Sequence, residues 1–142
     1  MFDLKKTYGY DKKKAEEGVK YIIGSDPEKD YVLIRRVPND SYTATLQKTF
    51  QANAKVLEYM KTQDPEASVA LDRKLQSEVL AETVIIGWGE NFGEDGKKIL
   101  YSKDECARIL VTYPDFRRDC VEFASNPQNY PLTPDVEEIK KK

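Results

Sequence analysis

The chain contains no histidine. That removes the commonest general base, the commonest metal ligand, and both the Ser–His and Cys–His nucleophile pairs. Cysteine is scarce as well, at two in 142 residues, too few for a disulfide framework. Both thiols are expected to be reduced and packed in a cytosolic protein, as free Cys usually is. No run approaches the roughly 18 apolar residues that a membrane span needs. The opening MFDLKKTYGYDKKKAEEG has no apolar h-region, so no signal peptide is expected. Charge of one sign is missing too, with 23 Lys+Arg against 25 Asp+Glu and a formal net charge of -2. The electrostatic excess that drives binding to phosphate backbones is therefore absent. Nucleic acid and membrane are not the expected partners, and an enzyme is not the expected class.

At 142 residues the chain is long enough to bury one core. Hydrophobic residues make up 39% and charged residues 34%, polar for a compact globule. Such a balance points to exposed tails or to a surface that a partner completes.

Residues 1–17 read as a mobile arm, because Lys12, Lys13 and Lys14 oppose Glu16 and Glu17 with few apolar anchors. Two β-branched and aromatic runs come next, Val19–Ile23 and Tyr31–Arg36, separated by the turn-rich residues 24–30. They predict a hairpin that needs a helix over one face. Asp40 or Ser41 is a good N-cap for a helix to about Met60, with Tyr42, Leu46, Phe50, Asn53, Leu57 and Met60 on one stripe. Asp64-Pro65-Glu66 starts a second helix, whose apolar pattern runs through Val69, Leu71, Leu75, Val79, Leu80 and Val84 to Ile86, with Gly87 as its stop. The short connection between the two predicts an antiparallel pair.

Residues 87–123 hold the only Trp, four of the seven Gly and both Cys. Gly87–Gly96 reads as a loop in which Trp88 folds back on the core and Phe92 is partly exposed. It has neither a dinucleotide nor a P-loop spacing. Aligned as a calcium loop on Gly96, it puts Gly93 and Ser102 where carboxylates belong. Ser102 and Glu105 form a capping box for a helix carrying Cys106, Ile109 and Leu110 to about Thr112. Tyr113-Pro114 then forces a corner, and Pro114 opens a helix with Phe116, Cys120 and Phe123 inward. Beyond Tyr130 we expect a flexible tail over residues 131–142. In it, Thr133-Pro134-Asp135 starts a last short helix carrying Val136 and Ile139 and ending in Lys140, Lys141 and Lys142. The whole predicts an α+β domain over residues 18–130, mainly helical, with a small N-terminal β-hairpin beside about four helices.

Three polar groups are the candidates for chemistry. Asp115 and Asp119 sit at helical spacing around Arg117 and Arg118, and Glu90, Glu94 and Asp95 cluster in the loop. Paired carboxylates need burial and divergent pKa values to act as acid and base. At exposed positions they are expected to form local ion pairs instead. Arg35 and Arg36 offer an anion site, with a solvated strand end as the plainer reading. No catalytic, cofactor or metal residue is assigned.

The sequence resembles the tail assembly chaperones of long-tailed bacteriophages. The pattern is Gly87-Trp88 after a long helix, then Asn91, Asp95 and Gly96 in the loop, then Ile99 and Tyr101-Ser102. Ala107 and Leu110 come after these, then the Tyr113-Pro114-Asp115-Phe116 corner, and Asn126 with Tyr130 at the end. The likeness also takes in Gly18 and Tyr31–Arg36, so it spans about residues 18–130. It implies a protein that coats the tape measure protein, keeps it soluble and is displaced by tail tube subunits. It implies self-association, a host-cytoplasmic location and absence from the mature virion. A longer frameshifted form is also implied, and the codons of Lys140, Lys141 and Lys142 would supply an A-rich run. Trp88, Phe92, Tyr113 and Phe116 are the candidate protein-binding residues, since aromatics dominate interface hot spots; for Phe116, filling the corner is the competing explanation. A structural virion component, a minor tail or head–tail connector protein, is the alternative reading.

Overall fold

The computed structural model describes residues 1–133. In order these form α1 (Leu4–Tyr8), α2 (Lys12–Glu17), β1 (Val19–Ile22), β2 (Tyr31–Ile34), α3 (Asp40–Ala52), α4 (Ala54–Gln63) and α5 (Pro65–Thr83). Then come β3 (Ile85–Trp88), β4 (Gly93–Glu94), β5 (Lys97–Lys98), α6 (Lys103–Thr112), α7 (Pro114–Ser125) and a 3-10 turn at Pro127–Asn129. The protein is thus α+β and mainly helical, with a small antiparallel sheet. The last helix expected after Thr133, carrying Val136 and Ile139, lies outside the described residues.

The sheet has the order β1-β2-β3. β1 and β2 form the expected hairpin, Val19 opposite Ile34 and Ile22 opposite Tyr31. β2 is central, and its alternate residues Val32 and Ile34 are fully buried. Its other edge is covered by β3, antiparallel, with Val32 opposite Trp88 and Ile34 opposite Ile85. This third strand corrects the expectation that the long helix runs to Ile86. Val84, Ile85 and Ile86 are β-branched and apolar, so they satisfy a helical stripe and a strand equally well. The open edge of β2 decides the matter: the Arg35 amide donates to Val84 O at 2.8 Å, and the Gly89 amide to Tyr31 O at 2.9 Å.

The expected helix over residues 41–60 is two helices. Asn39, rather than Asp40 or Ser41, caps α3, its Oδ1 accepting from the Tyr42 amide at 2.8 Å while its Nδ2 donates to Arg36 O at 2.9 Å. At Asn53 the backbone leaves the helical region (φ -109, ψ 6), and its side chain donates to Thr49 O at 2.8 Å. An Asn that competes for the backbone in this way favours a break. Asp64 caps α5 as expected, accepting from the Ala67 amide at 3.2 Å with Pro65 at the first position.

α5 is the axis of the core. Leu80, Ala81, Val84 and Ile85 meet Val32 and Ile34 of the sheet, Cys106 and Leu110 of α6, and Cys120 and Ala124 of α7. Both cysteines are free and buried, as expected. The α6–α7 corner also falls where Tyr113-Pro114 predicts it. Only half of the capping box forms: Ser102 Oγ accepts from the Glu105 amide at 3.0 Å, while the Glu105 carboxylate turns to Arg108 at 2.9 Å.

The N-terminal segment, expected as an arm, is helical and tied to the domain. The Asp11 amide donates to Tyr130 O at 2.9 Å, and the Arg36 amide to Ala15 O at 3.1 Å. Ala15 is buried, and the Arg36 guanidinium lies 4.2 Å from the centre of the Tyr10 ring. Tyr130 is the anchor for this side: it is fully buried, and its hydroxyl donates to Ile34 O at 3.0 Å.

Candidate partner-binding surface

β3 delivers Trp88 to the edge of the sheet, and a tight hairpin holds the chain just beyond it. β4 and β5 pair Gly93 with Lys98 and Glu94 with Lys97. Asp95 (φ 52) and Gly96 (φ 77) take the left-handed conformations that a two-residue hairpin turn requires. Asp-Gly is the strongest short hairpin signal, so the turn is written in the sequence, and the expected open loop is corrected to a hairpin.

Trp88 donates its indole N–H to Ile99 O at 2.7 Å. Its ring stacks on Phe92 at 4.1 Å and meets the edge of Tyr101 at 4.9 Å. Phe92 in turn lies 5.9 Å from Phe116. Trp88, Phe92 and Phe116 all pack half-buried against the core. Tyr101 closes the back of the cluster by donating to Ile85 O at 2.6 Å, and burial pushes its pKa up to about 12.

Of the four predicted binding residues, Phe92, Tyr113 and Phe116 come together. With Ile23, Gly93, Glu94, Asp95 and Ile109 they line an open cleft of about 310 Å³. Trp88 stands behind Phe92 and does not line it. Tyr113 is the exposed member, at 43%. Its hydroxyl donates to the Glu94 carboxylate, which also takes Arg108 at 3.2 Å. These bonds, the Tyr113 one foremost, hold the Glu94 carboxyl below the usual range, and the same bond raises the Tyr113 phenol.

The other polar candidates are structural in their contacts. Arg118 pairs with both Asp115 and Asp119, at 3.3 and 3.1 Å, on an exposed face. Lys29 stands 4.0 Å from Glu90. Arg35 and Arg36 differ from the expected solvated strand end. Both are half-buried and donate to main-chain oxygens, Arg35 to Thr83 O at 3.2 Å and Arg36 to Val37 O at 2.7 Å. Burial raises both thiols, that of Cys106 to about 12, so neither is an activated nucleophile. Among the described residues no group of three His, Cys, Asp or Glu is placed to hold a metal ion, and no helix is long and apolar enough to cross a membrane.

A second surface is not evident from the sequence. α3 and α4 pack on α5, yet neither helix contributes a buried residue. The expected stripe from Tyr42 to Met60 is only half-covered, and Val56 and Tyr59 beside it are 46% and 67% exposed. Val69, expected on the apolar face of the next helix, is 59% exposed. An open groove of about 360 Å³ runs over Phe50, Leu57, Pro65 and Val69, and one of about 440 Å³ over Tyr42, Leu46 and Phe50. The exposure continues onto α5, where no apolar side chain is fully covered before Leu75.

Residues 39–141 match the family model described as YdaY prophage protein. No curated protein and no solved structure matches the chain. The matched span begins at the cap of α3 and takes in the helical layer, β3, the small hairpin and the α6–α7 corner. It thus covers both surfaces described above apart from Ile23, and most of the residues in the resemblance to phage proteins. The chain belongs to the YdaY prophage protein family, and it is of phage origin.

Proposed function

We propose that this prophage protein is a tail assembly chaperone that binds the tape measure protein and holds it soluble until the tail tube polymerises. It acts in the host cytoplasm, leaves the complex as tube subunits arrive, and is absent from the finished virion. The observation that carries this reading is the α3–α4 pair. Two helices with an apolar stripe and no buried side chain leave a surface that water covers poorly. Contiguous exposed apolar surface of this kind marks a protein-binding site. A long helical partner presents the complementary stripe. Phage origin and the residue pattern around Trp88 and the Tyr113-Pro114 corner support the same reading. Partial coverage suits a chaperone that must be displaced, because a very large dry interface would hold too tightly. The proposal assigns no catalytic step and no cofactor.

Co-expression with the tape measure gene of the same prophage tests it. The tape measure protein is expected to move into the soluble fraction and to elute with this chain. If its solubility does not change and no complex elutes, the reading fails. Mass spectrometry of purified particles separates the alternative, since a structural virion component would be present there in fixed stoichiometry.

A further inference from the structure

Three arginines are half-buried, and two of them, Arg35 and Arg36, donate to main-chain oxygens at 3.2 and 2.7 Å. The third is Arg117, near the start of α7. Among the described residues its side chain is in no ion pair and no hydrogen bond. Its neighbour Arg118 is already committed to Asp115 and Asp119. Arg117 lines a pocket of about 260 Å³ with Arg118, Tyr42, Gln76, Leu80 and Val121, none of them acidic. Tyr42 and Gln76 also line the groove of about 440 Å³ over Leu46 and Phe50, which has no charged residue in its wall. The two are therefore one trough along α3. Tyr42, Leu46 and Phe50 stand four residues apart in a row about 12 Å long, at 1.5 Å per residue. The trough stays uncharged until it reaches the arginines at its Tyr42 end. Asp72 accepts from Gln76 at 3.1 Å and lines the next groove, over Leu57 and Val69, together with Lys61.

We infer that this trough seats an amphipathic α-helix of the protein's partner, which lays apolar side chains along Leu46 and Phe50 and sets a carboxylate, Asp or Glu, against Arg117. The inference rests on the proposal that the partner is the helical tape measure protein, and it gives the α3–α4 face an end that reads charge. Apolar residues spaced three and four apart on the partner helix match a row like that of α3. A guanidinium with free N–H donors takes a carboxylate through two parallel, charge-assisted bonds. A basic side chain at that turn would meet like charge, and a neutral one would leave Arg117 unpaired. The pocket thus selects an acidic residue there and fixes which way round the helix lies.

The test is Arg117→Glu, assayed by co-expression with the tape measure protein of the same prophage. This variant is expected to recover less than about a tenth of the soluble complex, a loss of the size that a charge mismatch at an interface produces. Arg117→Lys keeps the charge without the planar fork and is expected to fall between it and the native chain. Lys98→Glu, an exposed charge reversal on β5, serves as control and is expected to match the native chain. Thermal unfolding checks the fold; should Arg117→Glu unfold early, Arg117→Gln is read in the same way without the added negative charge. Acidic residues of the tape measure protein are then changed singly to lysine, and one such change is expected to restore the complex with Arg117→Glu. If the folded Arg117 variants hold the tape measure protein as the native chain does, or if no single reversal restores the complex, Arg117 does not read a carboxylate, and the chaperone reading stands. If the native chain itself forms no complex, both fall.

Discussion

At the scale of single residues, the fold depends on a few side chains that join distant segments. Tyr130 is one, since its buried hydroxyl on Ile34 O fastens the C-terminal end of the domain to the central strand. Tyr130→Phe leaves that carbonyl without its donor and is expected to cost about 1–2 kcal/mol, read from the denaturation midpoint. A change within experimental error would show that the bond is dispensable. Glu94 gives a pH dependence of definite sign. Its folded pKa is depressed, so its contribution is present above the ordinary value of 4.5 and is lost as pH falls through the folded value. The stability advantage of the native chain over Glu94→Gln should therefore shrink on acidification below that value. Parallel pH profiles for the two proteins would rule this out. Neither contact was legible in the sequence, because the partners lie 96 and 19 residues apart. What composition did supply was the class of each residue, such as the two buried thiols.

At the scale of elements, the places where the sequence read true carry strong local chemistry. Asp64-Pro65, Ser102 and Tyr113-Pro114 set helix ends by capping and by the ring of proline, with no help from the rest of the chain. The misreadings at Val84–Trp88 and Asn53 have the opposite cause. An apolar β-branched run fits both periods, and only the unpaired edge of β2 makes it a strand. Gly89 marks where that strand must pass close to the hairpin loop, because a Cβ there would run into the carbonyl of Lys29. Gly89→Ala is expected to destabilise by about 1–3 kcal/mol, the usual cost of forcing extra volume into a close contact. Thermal unfolding measures it, and an unchanged midpoint would mean that β3 passes residue 29 with room to spare.

At the scale of the whole molecule, a buried core around α5 supports surfaces left open. The aromatic cluster singled out from sequence is mostly part of that core: Trp88, Phe92 and Phe116 brace one another, and Tyr113 alone is exposed. The candidate surface was thus half legible. Residue type identified the aromatics, but their exposure depended on how the loop and corner close. The half-covered helices α3 and α4 could not be told from core helices by periodicity, since both carry the same stripe. Val56→Lys with Tyr59→Lys separates these roles, because exposed substitutions of this kind change stability by about 0.5 kcal/mol or less. The variant is expected to keep the native melting temperature while lowering recovery of the proposed complex with the tape measure protein. A large fall in melting temperature would instead make these residues part of the fold's support.

The most direct measurement is the amount of soluble tape measure protein in an induced lysogen whose copy of this gene has been deleted. The account predicts a fall of about ten-fold or more, the size of a lost specific interaction of at least 1.4 kcal/mol, together with particles that lack tails. A plasmid copy of the native gene should restore both. Normal tails and unchanged soluble tape measure protein in the deletion strain would contradict the account.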